Sequence, residues 1–344
     1  MCHSWRSLCS HLLLVMVPLI YGGCHGNAPV RASSGEANPE SDGILLARSP
    51  AVSGPKDSEN RYLPTIRVTA KEKKDVETKR ASLLGRVSPS SDCSGVLIAP
   101  HLVLTAGHCV CMTRPFTAPP TEVRKDSLPQ RTGFIMRSSA FTKDTVTAII
   151  DSSECAKAVT IRTIVYETLA SGDESLRETK YYGTVHPHPR LELLFNQDGH
   201  QVWANADLAV VRLNKPLKDP PTFRLATSEV EQGDPIIMAG YGPAGADDDT
   251  QGERHFGPNT VGWIRRLETG SVEFVVAGQR QPDGTPAAHL FGGDSGGACL
   301  SGTEENILVG IAASTARNRK GETLSVFTSV YAHRDWLMQQ LKDL

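Results

Sequence analysis

The chain has 344 residues, and its 36 lysine and arginine residues against 38 aspartate and glutamate residues give a formal net charge of −2. This balance argues against nucleic acid or a strongly anionic surface as a partner. Segments with helical periodicity are scarce, whereas short β-branched runs bounded by Gly, Pro and Asp recur. The composition therefore favours an all-β barrel or sandwich.

Residues 1–24 predict a signal peptide. Arg6 supplies a weak positive region, and the apolar run 12–20 is too short to span a bilayer as a helix. The small residues before Cys24 are similar to the cleavage site of bacterial lipoproteins, in which the cysteine is lipidated, although Tyr21 stands where leucine is usual. The alternative is ordinary secretion with cleavage nearby, for example after Gly26. The mature chain is expected outside the cytoplasm in both cases, either secreted or as a cell-envelope lipoprotein attached to the membrane through lipidated Cys24.

Residues 25–65 are rich in Asn, Pro, Ser, Gly and Glu and hold few large apolar residues. Such a segment cannot bury enough surface to fold alone, so we predict a flexible tether or propeptide. Residues 66–344 are expected to form the folded domain.

Two distant motifs suggest a histidine paired with an aspartate. The apolar run 102–105 leads into Ala-Gly-His-Cys with the histidine at 108, and Asp207 lies at the mouth of a second apolar strand, 208–213. Burying an aspartate beside β-branched residues costs free energy unless a charged or hydrogen-bonding group pairs with its carboxylate. The Nδ1–H group of an imidazole would do so and would fix the tautomer of the ring.

The sequence Gly-Gly-Asp-Ser-Gly-Gly at 292–297 places Ser295 in a glycine-rich turn. The glycines allow a tight turn that points the N–H groups of Gly293 and Ser295 into one spot, where they would stabilise an oxyanion. Alone, this motif is also compatible with a surface turn. After it, residues 330–341 space their apolar side chains three and four apart, which predicts a C-terminal amphipathic helix.

From about Ala81 to Leu344 the chain resembles the trypsin/chymotrypsin-like serine proteases. The resemblance rests on Thr-Ala-Gly-His-Cys, where Thr-Ala-Ala-His-Cys is usual, on Asp-Leu-Ala-Val-Val and on Gly-Asp-Ser-Gly-Gly, in the order of the family. It implies two packed six-stranded β-barrels with a C-terminal helix, and a serine protease domain over residues 66–344.

The resemblance also implies roles for the three motifs. His108 would be the general base, Asp207 its orienting partner and Ser295 the nucleophile, with Gly293 and Ser295 forming the oxyanion hole. The expected activity is that of a serine endopeptidase acting on protein or peptide substrates through an acyl-enzyme. We expect a monomer that needs no cofactor and no metal.

The cysteines fit an oxidising compartment. The resemblance implies a Cys93–Cys109 disulfide that braces the histidine loop. Cys111 and Cys155 both lie in the long segment between His108 and the aspartate, and we expect them to pair. Cys299 is then left over and suits a buried thiol. A zinc site around Cys109 and Cys111 is disfavoured because one intervening residue gives poor ligand spacing.

The specificity pocket departs from the family pattern. His289 stands where trypsin-type members carry an aspartate at the pocket floor, and Thr315 and Ser325 stand at the pocket walls. Their side chains should narrow the pocket, which disfavours large basic or aromatic substrate residues. These polar groups would suit a small or an acidic residue.

The sequence leaves open how the protein would be activated by cleavage of its N-terminal part. In the family a newly cut N-terminus pairs with the aspartate beside the nucleophile, here Asp294, but no Ile-Val-Gly-Gly occurs in this chain. The bonds after Arg67 and Arg80 are candidate cleavage sites, and Asp294 is expected to need a cation.

The segment of residues 111–180 is longer than the matching span of compact family members. It is interpreted either as a surface elaboration or as an exosite or lid.

Two other function classes compete with the serine protease. The first is a catalytically inactive lipoprotein that uses a protease fold only for binding, because a fold can persist after its catalytic activity is lost. The presence of His108, Asp207, Ser295 and both glycines of the turn argues against it. An esterase of the α/β-hydrolase class would require the order Ser, Asp, His, which is not the order here.

Overall fold

The computed structural model describes residues 54–70, 92–116, 146–243, 252–280, 284, 286–318 and 320–343. All of them belong to one compact unit, Glu40–Leu344. The predicted signal peptide, Cys24 and residues 25–53 of the predicted tether lie outside the described residues.

The described residues are mostly β-structure. The strands of the first half are β1 (Thr65–Ala70), β2 (Cys93–Ala99), β3 (Leu102–Thr105), β4 (Arg114–Pro115), β5 (Val146–Asp151), β6 (Ala158–Thr168), β7 (Glu174–Pro187), β8 (Glu192–Asn196), β9 (Gln201–Asn205) and β10 (Ala209–Leu213). Those of the second half are β11 (Arg224–Leu225), β12 (Pro235–Gly240), β13 (His255–Arg266), β14 (Val272–Val276), β15 (Ala298–Ser301), β16 (Ile307–Arg317) and β17 (Thr323–Ser329).

Two six-stranded antiparallel barrels form the architecture, as the family resemblance implies. The first closes in the order β1-β2-β3-β10-β7-β6, and the second runs β16-β15-β12-β13-β14-β17 and closes through the β16–β17 pairing. Strands β2 and β3 are almost entirely buried. Their side chains fill the first barrel and also share one hydrophobic core with Ala298, Leu300 and Ile311 of the second. This shared core fixes the two barrels against each other, so that loops from both can meet in one site.

The long segment between the histidine and the aspartate adds a separate sheet. Strands β4, β5, β8 and β9 pair in the order β4-β5-β8-β9. Strands β6 and β7 belong to the first barrel, but their hairpin continues outwards to the pair Thr168 and Glu174. The strands expected at 146–150, 159–165 and 272–276 are all present.

The predicted tether ends too late in the chain. Residues 54–64, which we call the strap, are packed on the protein rather than flexible: Asp57 and Tyr62 are each 1% exposed, and Lys56 pairs with His255 of β13 in a β-bridge. The low content of large apolar residues did not reveal this packing, because the strap is held by hydrogen bonds and ion pairs to distant residues.

The C-terminus forms the predicted helix. A short 3₁₀ turn, Tyr331–His333, precedes helix α1 (Arg334–Lys342), in which Leu337 is fully buried. None of the helices in the described part of the chain has the length and apolar character needed to cross a membrane.

Candidate active site

Pairing of β3 with β10 brings His108 and Asp207 together. His108 lies in a single 3₁₀ turn directly after β3, and Asp207 precedes β10, whose Ala209 lies opposite Thr105 of β3. The carboxylate of Asp207 accepts a hydrogen bond from His108 Nδ1 at 2.7 Å on one oxygen and from the His108 backbone N–H at 2.9 Å on the other. Asp207 is 2% exposed. The ring is therefore held with Nδ1 protonated and Nε2 free to accept a proton.

The environment of His108 changes its basicity. Burial of the imidazole lowers the pKa of His108, but the charge of Asp207 and its hydrogen bond raise it, and the net result is a pKa above the ordinary value of histidine. The pair therefore stabilises the protonated ring that a general base becomes during a reaction.

The turn that carries Ser295 is pressed against the first barrel. Gly293 and Gly296 have φ angles of +105° and +81°, in the left-handed region that favours glycine. A Cβ atom added to Gly296 would lie 2.2 Å from Thr105 Oγ1 and 2.3 Å from the carbonyl oxygen of Ser94. Only glycine allows this close approach, which brings the turn next to the loop of His108.

The disulfide sulfur of Cys109 lies between the histidine and the serine. Cys109 Sγ is 3.9 Å from His108 Nε2 and 3.5 Å from the carbonyl oxygen of Ser295. Within the described residues, no hydrogen bond joins Ser295 Oγ to His108 Nε2. Such catalytic hydrogen bonds are often long in an empty site and shorten when substrate binds.

The backbone of the turn leaves two donors available. The N–H groups of Asp294, Gly296 and Gly297 donate to backbone carbonyl oxygens nearby. Those of Gly293 and Ser295 donate to no other group in the part of the chain that the structure describes. These are the two donors that the sequence assigns to the oxyanion hole.

Asp294 is completely buried behind the turn. Its carboxylate accepts hydrogen bonds from the backbone N–H groups of Gly242 at 2.9 Å and Phe291 at 3.0 Å. The prediction of cleavage after Arg67 is wrong, because Arg67 lies inside β1 and pairs with both β2 and β6. A cut there would sever a barrel strand. The bond after Arg80 lies outside the described residues.

The three predicted pocket residues are brought together. Thr315 of β16 lies opposite Ser325 of β17, and Ser325 Oγ is 3.4 Å from His289 Nδ1 and accepts a hydrogen bond from the N–H of Leu290. Ser325 and His289 are buried, whereas Thr315 is partly exposed. Burial lowers the pKa of His289, which favours the neutral form of its ring.

Both predicted disulfides are present. Cys93 is bonded to Cys109 and Cys111 to Cys155, and Cys299 is a free buried cysteine whose thiol pKa is raised by burial. Ligand atoms of Cys93, His108 and Cys109 lie within 4.8 Å of one another, as in a metal site. The two sulfur atoms are bonded to each other, so neither offers the thiolate that a metal requires.

Sequence reasoning missed a serine that supports the turn. Ser94 Oγ donates to the carbonyl oxygen of Gly293 at 2.8 Å and accepts from the N–H of Tyr241 at 2.9 Å, and its own N–H donates to the carbonyl oxygen of Ser295 at 2.8 Å. Its position directly after a disulfide cysteine was the only signal, and that signal does not indicate what the hydroxyl contacts.

Comparison with known proteins identifies a family for this chain. The family model described as a trypsin-like peptidase domain matches residues 93–311. A crystal structure of an inactivated protease paralogue of the scabies mite matches at 17% identity, covering 85% of this chain and 100% of that chain, with a TM-score of 0.48. No curated protein sequence matches significantly. The family model spans more than half of the chain and contains the histidine, aspartate and serine motifs, and the chain therefore belongs to the trypsin-like peptidase domain family.

Proposed function

We propose that this protein is a serine endopeptidase with His108, Asp207 and Ser295 as its catalytic triad. The observation that carries the proposal is the 2.7 Å hydrogen bond from His108 Nδ1 to a buried Asp207, beside the turn that presents Ser295. A carboxylate that holds an imidazole in this tautomer gives a serine the base it needs.

The proposed reaction proceeds through an acyl-enzyme. Ser295 Oγ attacks the carbonyl carbon of the peptide bond while its proton passes to His108 Nε2. The negative charge on the carbonyl oxygen is stabilised by the N–H groups of Gly293 and Ser295. The C–N bond then breaks as His108 gives its proton to the leaving amine. Water hydrolyses the ester by the same steps, with His108 again as the base.

Substrate preference is proposed from the pocket. Thr315 lies opposite Ser325, whose hydroxyl is 3.4 Å from His289 Nδ1, and we expect these polar side chains to narrow the pocket. We expect cleavage after small or acidic residues. A peptide-library profile that favours lysine or arginine at this position would contradict this preference.

Labelling with a fluorophosphonate probe tests the catalytic proposal. The wild-type chain should be labelled, Ser295→Ala should not, and Ser301→Ala, a matched serine variant on β15, should react like wild type. Absence of labelling in the correctly folded wild-type chain would favour the alternative, a catalytically inactive protein that uses the fold for binding.

We also propose that the mature protein acts outside the cytoplasm. The two disulfides support this location, because such bonds persist in oxidising compartments. In a bacterial host, metabolic labelling with a radioactive fatty acid distinguishes a lipoprotein signal peptide from an ordinary secretory one. Label that disappears in Cys24→Ser supports the lipoprotein, and an unlabelled secreted form supports ordinary secretion.

A further inference from the structure

A buried arginine fastens the strap to the body of the protein. Arg254 and Asp57 are 0% and 1% exposed, and Arg254 Nε donates to the Asp57 carboxylate at 2.7 Å. The ends of this ion pair are 197 positions apart in the chain. A buried ion pair is stable only when the remaining donors are also satisfied, so the other contacts of the guanidinium matter.

The remaining guanidinium nitrogens contact three separate elements. Nη1 donates to the carbonyl oxygen of Ile164 in β6 at 3.0 Å and to the hydroxyl oxygen of Tyr241 at 2.8 Å, and Nη2 donates to Asn60 Oδ1 of the strap at 3.2 Å. The planar group with its fixed donors therefore joins the strap, the first barrel and the end of β12 at one point.

Tyr241 continues this network to the turn of Ser295. Its hydroxyl end contacts Arg254, and its backbone N–H donates to Ser94 Oγ at 2.9 Å, which in turn donates to the carbonyl oxygen of Gly293 at 2.8 Å. The neighbouring N–H of Gly242 donates to the Asp294 carboxylate at 2.9 Å.

Gly293 also packs directly on this segment. A Cβ atom added to Gly293 would lie 3.0 Å from the Cα atom of Gly242. The residue that supplies one oxyanion donor is therefore held at its carbonyl oxygen by Ser94 and at its Cα atom by the Tyr241–Gly242 backbone.

We propose that Arg254 is a positioning residue for the oxyanion hole. Together with Asp57 of the strap it holds Tyr241, and Tyr241 holds the Gly293–Asp294 part of the turn in the conformation that presents its N–H groups. The inference rests on the proposed protease function and adds Asp57 and Asn60 of the strap, which contact the Arg254 guanidinium, to the residues required for full activity.

Two conservative variants test the inference. Arg254→Lys keeps the positive charge but loses the planar guanidinium, and Tyr241→Phe removes the hydroxyl group that Arg254 contacts and that donates to the Thr65 carbonyl oxygen at 3.2 Å. Each should lower kcat by about tenfold to a hundredfold, less than the loss of a whole oxyanion donor, while KM for a short peptide stays unchanged. The affinity for a peptidyl boronate, which mimics the oxyanion, should fall by a similar factor.

Arg61→Ala is the matched control. Arg61 joins the strap to Glu305 at the surface and does not contact Arg254. This variant removes only a surface ion pair and should leave kcat at the wild-type value. Wild-type kcat in both Arg254→Lys and Tyr241→Phe, whatever their thermal stability, would overturn the inference.

Hydrogen–deuterium exchange separates this inference from the proposed function. If the wild-type chain shows no fluorophosphonate labelling, the proposed function fails, but the network can still be measured. Arg254→Lys and Tyr241→Phe should then speed exchange of the backbone amides of residues 291–297, and Arg61→Ala should not. Equal exchange in all four proteins would overturn the positioning role.

Discussion

Asp207 accepts two hydrogen bonds from one residue, because its two carboxylate oxygens take the backbone N–H and the ring Nδ1–H of His108. The first bond fixes the position of the turn and the second fixes the tautomer of the ring. Each oxygen therefore has a different task, and the amide of an asparagine cannot perform both.

Asp207→Asn is expected to lower kcat by about four orders of magnitude, since the amide favours the wrong tautomer of His108. The pKa of His108 should also fall, because the charge that raises it is removed. The measurement is kcat for a short peptide, together with the pH titration of the His108 ring by NMR. Asp198→Asn, an exposed loop residue, is the control, and a loss below tenfold in Asp207→Asn would contradict the assigned role.

The pH dependence of the proposed protease activity should reflect the same pair. Only neutral His108 can accept the serine proton, and its pKa is raised. The acid limb of kcat/KM should therefore have its midpoint above the ordinary histidine pKa of about 6.5. An uncharged substrate avoids titration of the substrate itself. A profile that stays flat down to pH 5 would exclude His108 as the base.

Two buried histidines should make the fold sensitive to acid. His188 and His333 contact each other edge to face. Burial, followed by the charges of His333 and Arg190, lowers the pKa of His188 to about 3, and burial, followed by the charge of Arg190, lowers that of His333 to about 4. The unfolded chain, with histidine pKa values of about 6.5, binds more protons in the window between these values. Stability should therefore be lost as pH falls below about 6.5, with a limiting slope of about 1.4 kcal/mol per pH unit for each histidine.

His333→Gln tests this expectation. Glutamine cannot be protonated and keeps a polar atom for the Ser271 hydroxyl that contacts His333 Nε2. Urea unfolding at pH 7 and pH 5 should show a smaller loss of stability in the variant than in wild type. His101→Gln serves as the control, and an equal loss in all three proteins would rule out the pair as the acid-sensitive element.

Gly107 replaces the usual alanine of the histidine motif for a steric reason. A Cβ atom at this position would lie 2.6 Å from Leu191 Cδ1 and 3.2 Å from Asp207 Oδ1. Gly107→Ala should therefore destabilise the protein by about 1–3 kcal/mol through overpacking. The double variant with Leu191→Ala should lose less stability than the sum of the two single losses, because the cavity left by Leu191→Ala accommodates the added methyl group. Strict additivity in a double-mutant cycle would contradict the steric explanation.

The long segment between His108 and Asp207 is expected to be a surface elaboration. Deleting residues 120–140 leaves β4, β5 and the Cys111–Cys155 disulfide in place. Cleavage of a short peptide and of a folded protein substrate should both survive. Loss of protein cleavage alone would instead identify an exosite.

Local sequence was sufficient for much of this protein. The β-branched runs predicted strands because side-chain alternation depends only on near neighbours, and the turn of Ser295 was visible because its glycines are required by the backbone itself. The pairing of His108 with Asp207 was predicted because a buried carboxylate without a hydrogen-bonding partner costs free energy.

Tertiary structure alone decided the rest. The strap has the composition of a tether, and it is held on the protein by hydrogen bonds and ion pairs to distant residues, among them the buried pair of Asp57 and Arg254. The hydroxyl groups of Ser94 and Tyr241 have no local pattern that indicates their partners. Short-range patterns record which residues favour a strand or a turn, whereas a hydrogen bond between distant residues exists only once both barrels have closed and excluded water from the junction.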